Sequence, residues 1–179
     1  MAEDMFAELL RQTQRDYDAL GFPVTEGEVE EEQFMLSMED GVRLKTYIFH
    51  MEKDTIWDNG GVFPVILQRS PYAHAMGSYR IHGRNLAKRG FVYIVQFCRG
   101  TEESEGEWIP NENELADGLC TVRWLASQSW VKNIGYWGDS YLALTGWCIA
   151  DESPEKVKGR YLGVYGTDRF TSAYCKRLF

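Results

Sequence analysis

Histidine, cysteine and proline are scarce in this 179-residue chain, at three, four and five residues. The cysteines, at positions 98, 120, 148 and 175, form no C-x-x-C pair, and no histidine stands at metal-ligand spacing from one of them. That removes the zinc-ribbon and disulfide-framework classes and suits a reducing compartment, with Cys98, Cys120 and Cys148 as small core residues. No run of about eighteen apolar residues is present to span a bilayer. The acidic start has no basic segment of the signal-peptide kind, so a cytoplasmic location is the default expectation. Neither G-x-G-x-x-G nor G-x-x-x-x-G-K-[ST] follows a strand pattern, which disfavours a nucleotide-binding domain. A net charge of −8 works against nucleic acid and anionic membranes as partners.

Hydrophobic residues make up 44% of the chain and aromatics 14%, enough for one globular core. The charge is lopsided. Residues 1–40 hold twelve acids and two arginines, a net of −10, and the rest is close to neutral. The acidic run at Glu28, Glu30, Glu31 and Glu32 reads as a solvated segment without a function.

Periodicity divides the chain into regular elements. Residues 3–20 read as a helix with Phe6, Leu9, Leu10, Tyr17 and Leu20 mostly on one face, stopped by Gly21 and Pro23. Its expected role is docking on the domain rather than binding a partner. Phe34, Leu36 and Met38 alternate, Asp40-Gly41 turns the chain, and Val42, Leu44, Tyr47 and Phe49 follow, which is a hairpin signal. Strands are expected at 62–67, 91–97, 133–137 and 157–164. Helices are expected at 78–89, 113–128 and 140–150, the second with Leu115, Leu119, Val122 and Leu125 on one face. A hairpin followed by alternating strands and helices implies an α/β fold: a mostly parallel sheet with an antiparallel start and helices on both faces.

The sharpest chemical feature is Gly135-Tyr-Trp-Gly-Asp-Ser140-Tyr-Leu-Ala, where a predicted strand meets a predicted helix. A serine on such a tight turn raises its hydroxyl above the sheet, and small neighbours let strand and helix approach. Gly138 is one such neighbour. Position 142, where G-x-S-x-G has its last glycine, is Leu, and the small residue comes one later as Ala143. The competing reading is a serine that merely caps the next helix.

Gly138-x-Ser140-Tyr141 with a small residue at 143 resembles the elbow of the X-Pro dipeptidyl-peptidase/cocaine-esterase family of serine hydrolases. Asp40-Gly41-Val42-x-Leu44 resembles that family's opening hairpin, and Arg69-Ser-Pro71-Tyr72 its R-x-P-Y loop. Arg99-Gly100 with Ser104-Glu-Gly-Glu107 resembles its D-x-R-G…S-E-G-E segment. Asp117-Gly118, Trp124-Leu-Ala126 and Trp130 resemble the helix and loop before the elbow. The resemblance covers roughly residues 34–165. It departs from the pattern at Ala143, in place of glycine, and at Phe97, where the family usually has an acid that would orient the nearby loop.

The resemblance implies an α/β-hydrolase fold, no cofactor and no metal, with an ester or peptide as substrate. It implies Ser140 as nucleophile, with the backbone N–H of Tyr141 and the hydroxyl of Tyr72 as oxyanion donors. Two donors aimed at the oxygen that gains charge in acyl transfer would stabilise the tetrahedral intermediate. Without the resemblance, Tyr72 reads as an amphipathic residue at a strand end.

In this fold the triad runs serine, acid, histidine along the chain. Here His50, His74 and His82 all precede Ser140. None of Asp151, Glu152, Glu155 and Asp168, which follow it, is placed as the triad acid would be. Neither His74 nor His82 is expected to serve as the base, and His74 reads as a surface-loop residue. The expectation is therefore residues 1–31 as a helix and acidic linker, then residues 32–179 as a partial hydrolase domain ending near the start of a cap. Such a piece would be inactive alone, and would self-associate or pair with a complementing chain.

Overall fold

The computed structural model describes residues 2–166 except 55, 59 and 60, with side chains described from residue 7 onward, residue 58 excepted. Phe6, Asp168 and Cys175 thus lie outside the described side chains.

Six strands form one sheet in the order β1-β2-β4-β3-β5-β6. The hairpin pairs β1 (Val29–Ser37) with β2 (Arg43–Met51), and β2 runs antiparallel to β4 (Val92–Phe97). From there β3 (Phe63–Ser70), β5 (Val131–Asp139) and β6 (Val157–Gly163) continue in parallel. At the hairpin, Gly41 adopts φ 87°, the left-handed conformation that the Asp-Gly pair signals, and Met38 N–H closes the turn on Val42 O at 2.7 Å. β1 starts at Val29, so Glu30, Glu31 and Glu32 belong to an edge strand rather than to a solvated linker. An edge strand tolerates them because its outer side faces water.

Strand alternation sends residues to two cores. Ile48, Leu67, Ile94, Ile134 and Tyr136 pack with Leu119, Val122 and Leu125 of α3 (Glu114–Ser127). Tyr47, Phe49, Tyr93 and Val95 pack on the other face with Met76 and Tyr79 of α2 (Met76–Ala87). Helices therefore cover both faces, as the alternation predicts. Leu115 is an exception to the expected α3 face, being 44% exposed. All six residues of β4 are buried because the strand is flanked by β2 and β3 and covered above and below. Each such large apolar side chain contributes about 1.5–3 kcal/mol of transfer free energy.

The first helix, α1 (Ala2–Ala19), packs on α2. Asn85 Nδ2 donates to Gln14 Oε1 at 2.8 Å, Arg89 Nη2 donates to Tyr17 O at 2.8 Å, and Tyr17 Oη lies 3.0 Å from His82 Nδ1. No helix among the described residues is long and apolar enough to cross a membrane.

Candidate active site

β5 ends at Asp139 and α4 (Tyr141–Cys148) begins two residues later, leaving Ser140 alone on the turn. Its backbone lies at φ 56°, ψ −124°, a conformation that costs a residue with a Cβ about 1–3 kcal/mol. Ser140 occupies the N-cap position of α4, yet its side chain makes no capping hydrogen bond. The capping explanation thus lacks the bond that defines it. The serine is exposed, and its backbone is held by Ser140 N–H to Gly163 O at 3.1 Å and by Ala143 N–H to Ser140 O at 3.0 Å.

The turn is this tight because Gly138 permits it. A Cβ at Gly138 would stand 2.4 Å from the carbonyl carbon and oxygen of Leu142, so the backbones could not meet with any larger residue. Ala143 is fully buried, which agrees with the demand for a small residue there. Leu142 in turn packs its side chain into the α2-side core.

Tyr72 lies two residues beyond β3, and Ser140 one residue beyond β5. These strands are parallel neighbours, so both residues sit at the same edge, beyond the strand carboxyl ends where open α/β sheets bind ligands. Tyr72 packs against the same apolar cluster that holds Leu142. Its backbone N–H donates to Ser70 Oγ at 2.9 Å, and Ser70 Oγ is 2.6 Å from the Tyr79 hydroxyl. Burial pushes the Tyr79 phenol up to about 12, so it stays a protonated anchor.

The Tyr141 N–H opens α4 and is among the donors that a helix start leaves without an intrahelical acceptor. The Tyr141 side chain is fixed separately. Its hydroxyl donates to Glu114 Oε1 at 2.9 Å and accepts Asn111 N–H at 3.0 Å, and Trp108 packs edge-on to its ring at 5.7 Å. Burial raises its pKa well above the ordinary phenol value, so the hydroxyl stays protonated.

Glu114 leads into a charge network whose extent sequence reasoning missed. Arg69 is fully buried at the end of β3. It donates from Nε to Gln96 Oε1 at 2.9 Å and from Nη1 to Glu114 Oε2 at 3.1 Å, and its Nη2 stands 3.7 Å from Asp117 Oδ2. Arg99 holds Asp117 through Nε at 2.9 Å and Nη2 at 2.6 Å, and reaches Asp40 at 2.7 Å. The hairpin turn, the R-x-P-Y loop, the Arg99-Gly100 loop, α3 and the elbow are therefore tied through one set of ion pairs and hydrogen bonds. A signal was present in the sequence: an arginine two residues after the apolar run Val65–Leu67, still within the strand, must carry its partners with it.

Phe97, the departure from the acid pattern, is fully buried with Tyr47 and Tyr79. The loop behind it is held by other means. Ser104 Oγ donates to Phe97 O at 3.0 Å and accepts Lys45 N–H at 2.8 Å, and Arg43 pairs with Glu105.

The three histidines are dispersed. His74 is exposed, with its ring 5.7 Å from that of Tyr72. His82 lies within α2, as the expected helix places it, bonded to Tyr17 and edge-on to Trp137 at 4.7 Å. Burial lowers its pKa to about 4, keeping it neutral. His50 is buried on β2 and pairs with Glu32. Among the described residues, the one group spaced to hold a metal ion is Glu30, Glu32 and His50, separated from β5 by β4 and β3.

Comparison with known proteins agrees with this architecture. The family described as X-Pro dipeptidyl-peptidase (S15 family) matches residues 40–179. The cocaine esterase of Rhodococcus sp. (strain MB1 Bresler) is 33% identical over 121 residues, 65% of this chain and 20% of the esterase. The chain thus spans about a fifth of that curated relative's length. A CocE/NonD family hydrolase from Staphylococcus aureus superposes with TM-score 0.59 at 24% identity, covering 78% of this chain and 32% of that one. An aminopeptidase from a marine sediment Thaumarchaeota archaeon gives TM-score 0.60 at 18% identity, covering 75% and 25%. At these identities the structures speak to the fold, which is that of the α/β hydrolases.

Proposed function

This chain belongs to the X-Pro dipeptidyl-peptidase (S15) family, and from that premise we propose that it carries the nucleophile half of a serine-hydrolase site. The reaction is acyl transfer to water through an acyl-serine intermediate. Ser140 Oγ attacks the carbonyl carbon of an ester or of an X-Pro amide and loses its proton to a base. The developing oxyanion is held by the Tyr141 N–H and the Tyr72 hydroxyl. The observation that carries this reading is Ser140 itself: exposed, at φ 56°, and with a hydroxyl that caps nothing. Backbone strain of this kind persists where surrounding structure over-determines it, and it clusters at reactive residues.

The base and its orienting acid come from residues outside those described here. His50 and His82 are engaged on β2 and under α1, which supports that assignment. Without a base a serine hydroxyl is a weak nucleophile, so the 179-residue chain alone is expected to have only residual activity.

Hydrolysis of an activated ester by the protein as its gene encodes it tests the reading. Tyr72→Phe is expected to lower kcat by about 10²–10³ with little change in KM, the size typical of losing one oxyanion donor. Unchanged kcat in Tyr72→Phe removes Tyr72 from the site. Unchanged turnover in Ser140→Ala removes the serine mechanism.

A further inference from the structure

Away from the elbow, the β1–β2 hairpin gathers two carboxylates and an imidazole. Glu30 stands opposite His50 in the antiparallel register. Glu32 is the next same-face residue along β1, within diagonal reach of His50. Ligand atoms from all three lie within 4.8 Å of one another. The His50 side chain is 3% exposed and that of Glu32 30%, while Glu30 is open to solvent.

Both ring nitrogens of His50 face acceptors. His50 Nδ1 is 2.9 Å from Met51 O, and His50 Nε2 is 2.8 Å from Glu32 Oε1. Both partners only accept, and a neutral imidazole has a single N–H to give. Both contacts are filled at once by a doubly protonated ring, or by a cation placed between Nε2 and the carboxylate. Glu32 also accepts the Trp57 indole N–H, at 2.8 and 2.9 Å from its two oxygens. A histidine that gives its other N–H to a backbone carbonyl, beside a carboxylate that is itself hydrogen-bonded, is the supporting pattern around metal ligands. Glu28, Val29, Glu30 and Glu52 line an adjoining depression of about 280 Å³, an acidic approach for a cation.

We propose that Glu30, Glu32 and His50 bind a divalent transition-metal ion of the zinc class. His50 Nε2 and one oxygen from each glutamate are the ligands, with water in the remaining position. The ion balances the two carboxylates and fastens the acidic edge strand to β2. This site is independent of the chemistry proposed at Ser140.

The test is titration of the intact chain with Zn²⁺ by calorimetry, followed in parallel by Trp57 fluorescence and by the absorption of Co²⁺ in place of Zn²⁺. The expected result is one ion per chain, a change in indole emission as Glu32 is drawn to the metal, and a Co²⁺ spectrum without thiolate charge-transfer bands. Trp57→Phe, which removes the support of Glu32, weakens binding about 10–100-fold. The isosteric pair Glu30→Gln and Glu32→Gln abolishes binding, and because Glu30 is exposed and Glu32 partly so, both variants stay folded. No heat and no spectral change with Zn²⁺ would mean that a proton alone bridges His50 and Glu32, overturning the proposal. Binding that survives the double glutamine variant, or a thiolate band that reveals capture by cysteine, overturns it as well.

Discussion

Replacing Ser140 with glycine should make the protein more stable. The residue sits at φ 56°, ψ −124°, where a Cβ costs about 1–3 kcal/mol and glycine costs little. Its side chain makes no capping bond, so removing it forfeits little in return. Glycine does loosen the unfolded chain, at a cost of about 0.5–1 kcal/mol relative to alanine. Taking a mid-range strain of about 2 kcal/mol, the net gain over Ser140→Ala is about 1.3 kcal/mol. For a domain of this size each kcal/mol moves the midpoint by about 2–4 °C, so Ser140→Gly should melt about 4 °C above Ser140→Ala. The alanine variant is the proper reference because it loses the hydroxyl but keeps the Cβ and the strain. Differential scanning calorimetry of the two variants at one pH measures the difference directly. A glycine variant that melts with or below the alanine variant would mean that the elbow is not strained, and the physical case for Ser140 would fall with it.

Two further outcomes follow from buried charge. Burial holds His82 neutral with a pKa of about 4, against about 6.5 unfolded, so the unfolded chain binds more protons between those values. The stability from keeping His82 neutral is therefore complete above about pH 6.5 and is lost as pH falls toward 4. Unfolding free energies from urea titrations at pH 7 and pH 5 should differ by roughly 1–2 kcal/mol from this group, after discounting for its partial exposure, and His82→Phe should remove that share. At Arg69, Glu114→Gln strips the closest carboxylate from a guanidinium with no exposure. Breaking a buried pair from one side costs about 3–5 kcal/mol, so chemical denaturation should show a loss of that order, while a loss below about 1 kcal/mol would mean that Asp117 alone satisfies Arg69.

Much of this molecule is legible in its sequence because the relevant signals are local. Asp40-Gly41 announces the hairpin through the left-handed conformation that glycine adopts, and Gly138 announces the elbow through the close approach of Leu142. The alternation of apolar runs with 3.6-residue periods yields the helices and parallel strands within a few residues. Long-range arrangements are less accessible. That β4 enters between β2 and β3 is a crossover no local pattern encodes. The pairings of Arg69 with Glu114 and of Arg99 with Asp117 join residues 45 and 18 positions apart. Charge misled the reading at Glu30–Glu32, because an edge strand shows water the same composition as a solvated linker. The burial of His82 is not legible either, since a polar residue on α2 looks exposed until α1 is laid over it. The proposed oxyanion donors rest on resemblance: nothing in the spacing of Tyr72 and Ser140 shows that β3 and β5 end side by side.

The most direct test of the central claim is covalent. The protein as its gene encodes it should react with a fluorophosphonate, and peptide mapping by mass spectrometry should place the single adduct on Ser140, with none in Ser140→Ala. If the base comes from outside the described residues, as proposed, the 179-residue chain expressed by itself should react slowly, because His50 is held against Glu32 and His82 under α1. Rapid labelling of that chain would show that a working base lies within it. An adduct on another residue, or none at all on the folded gene product, would contradict the assignment of Ser140 as nucleophile.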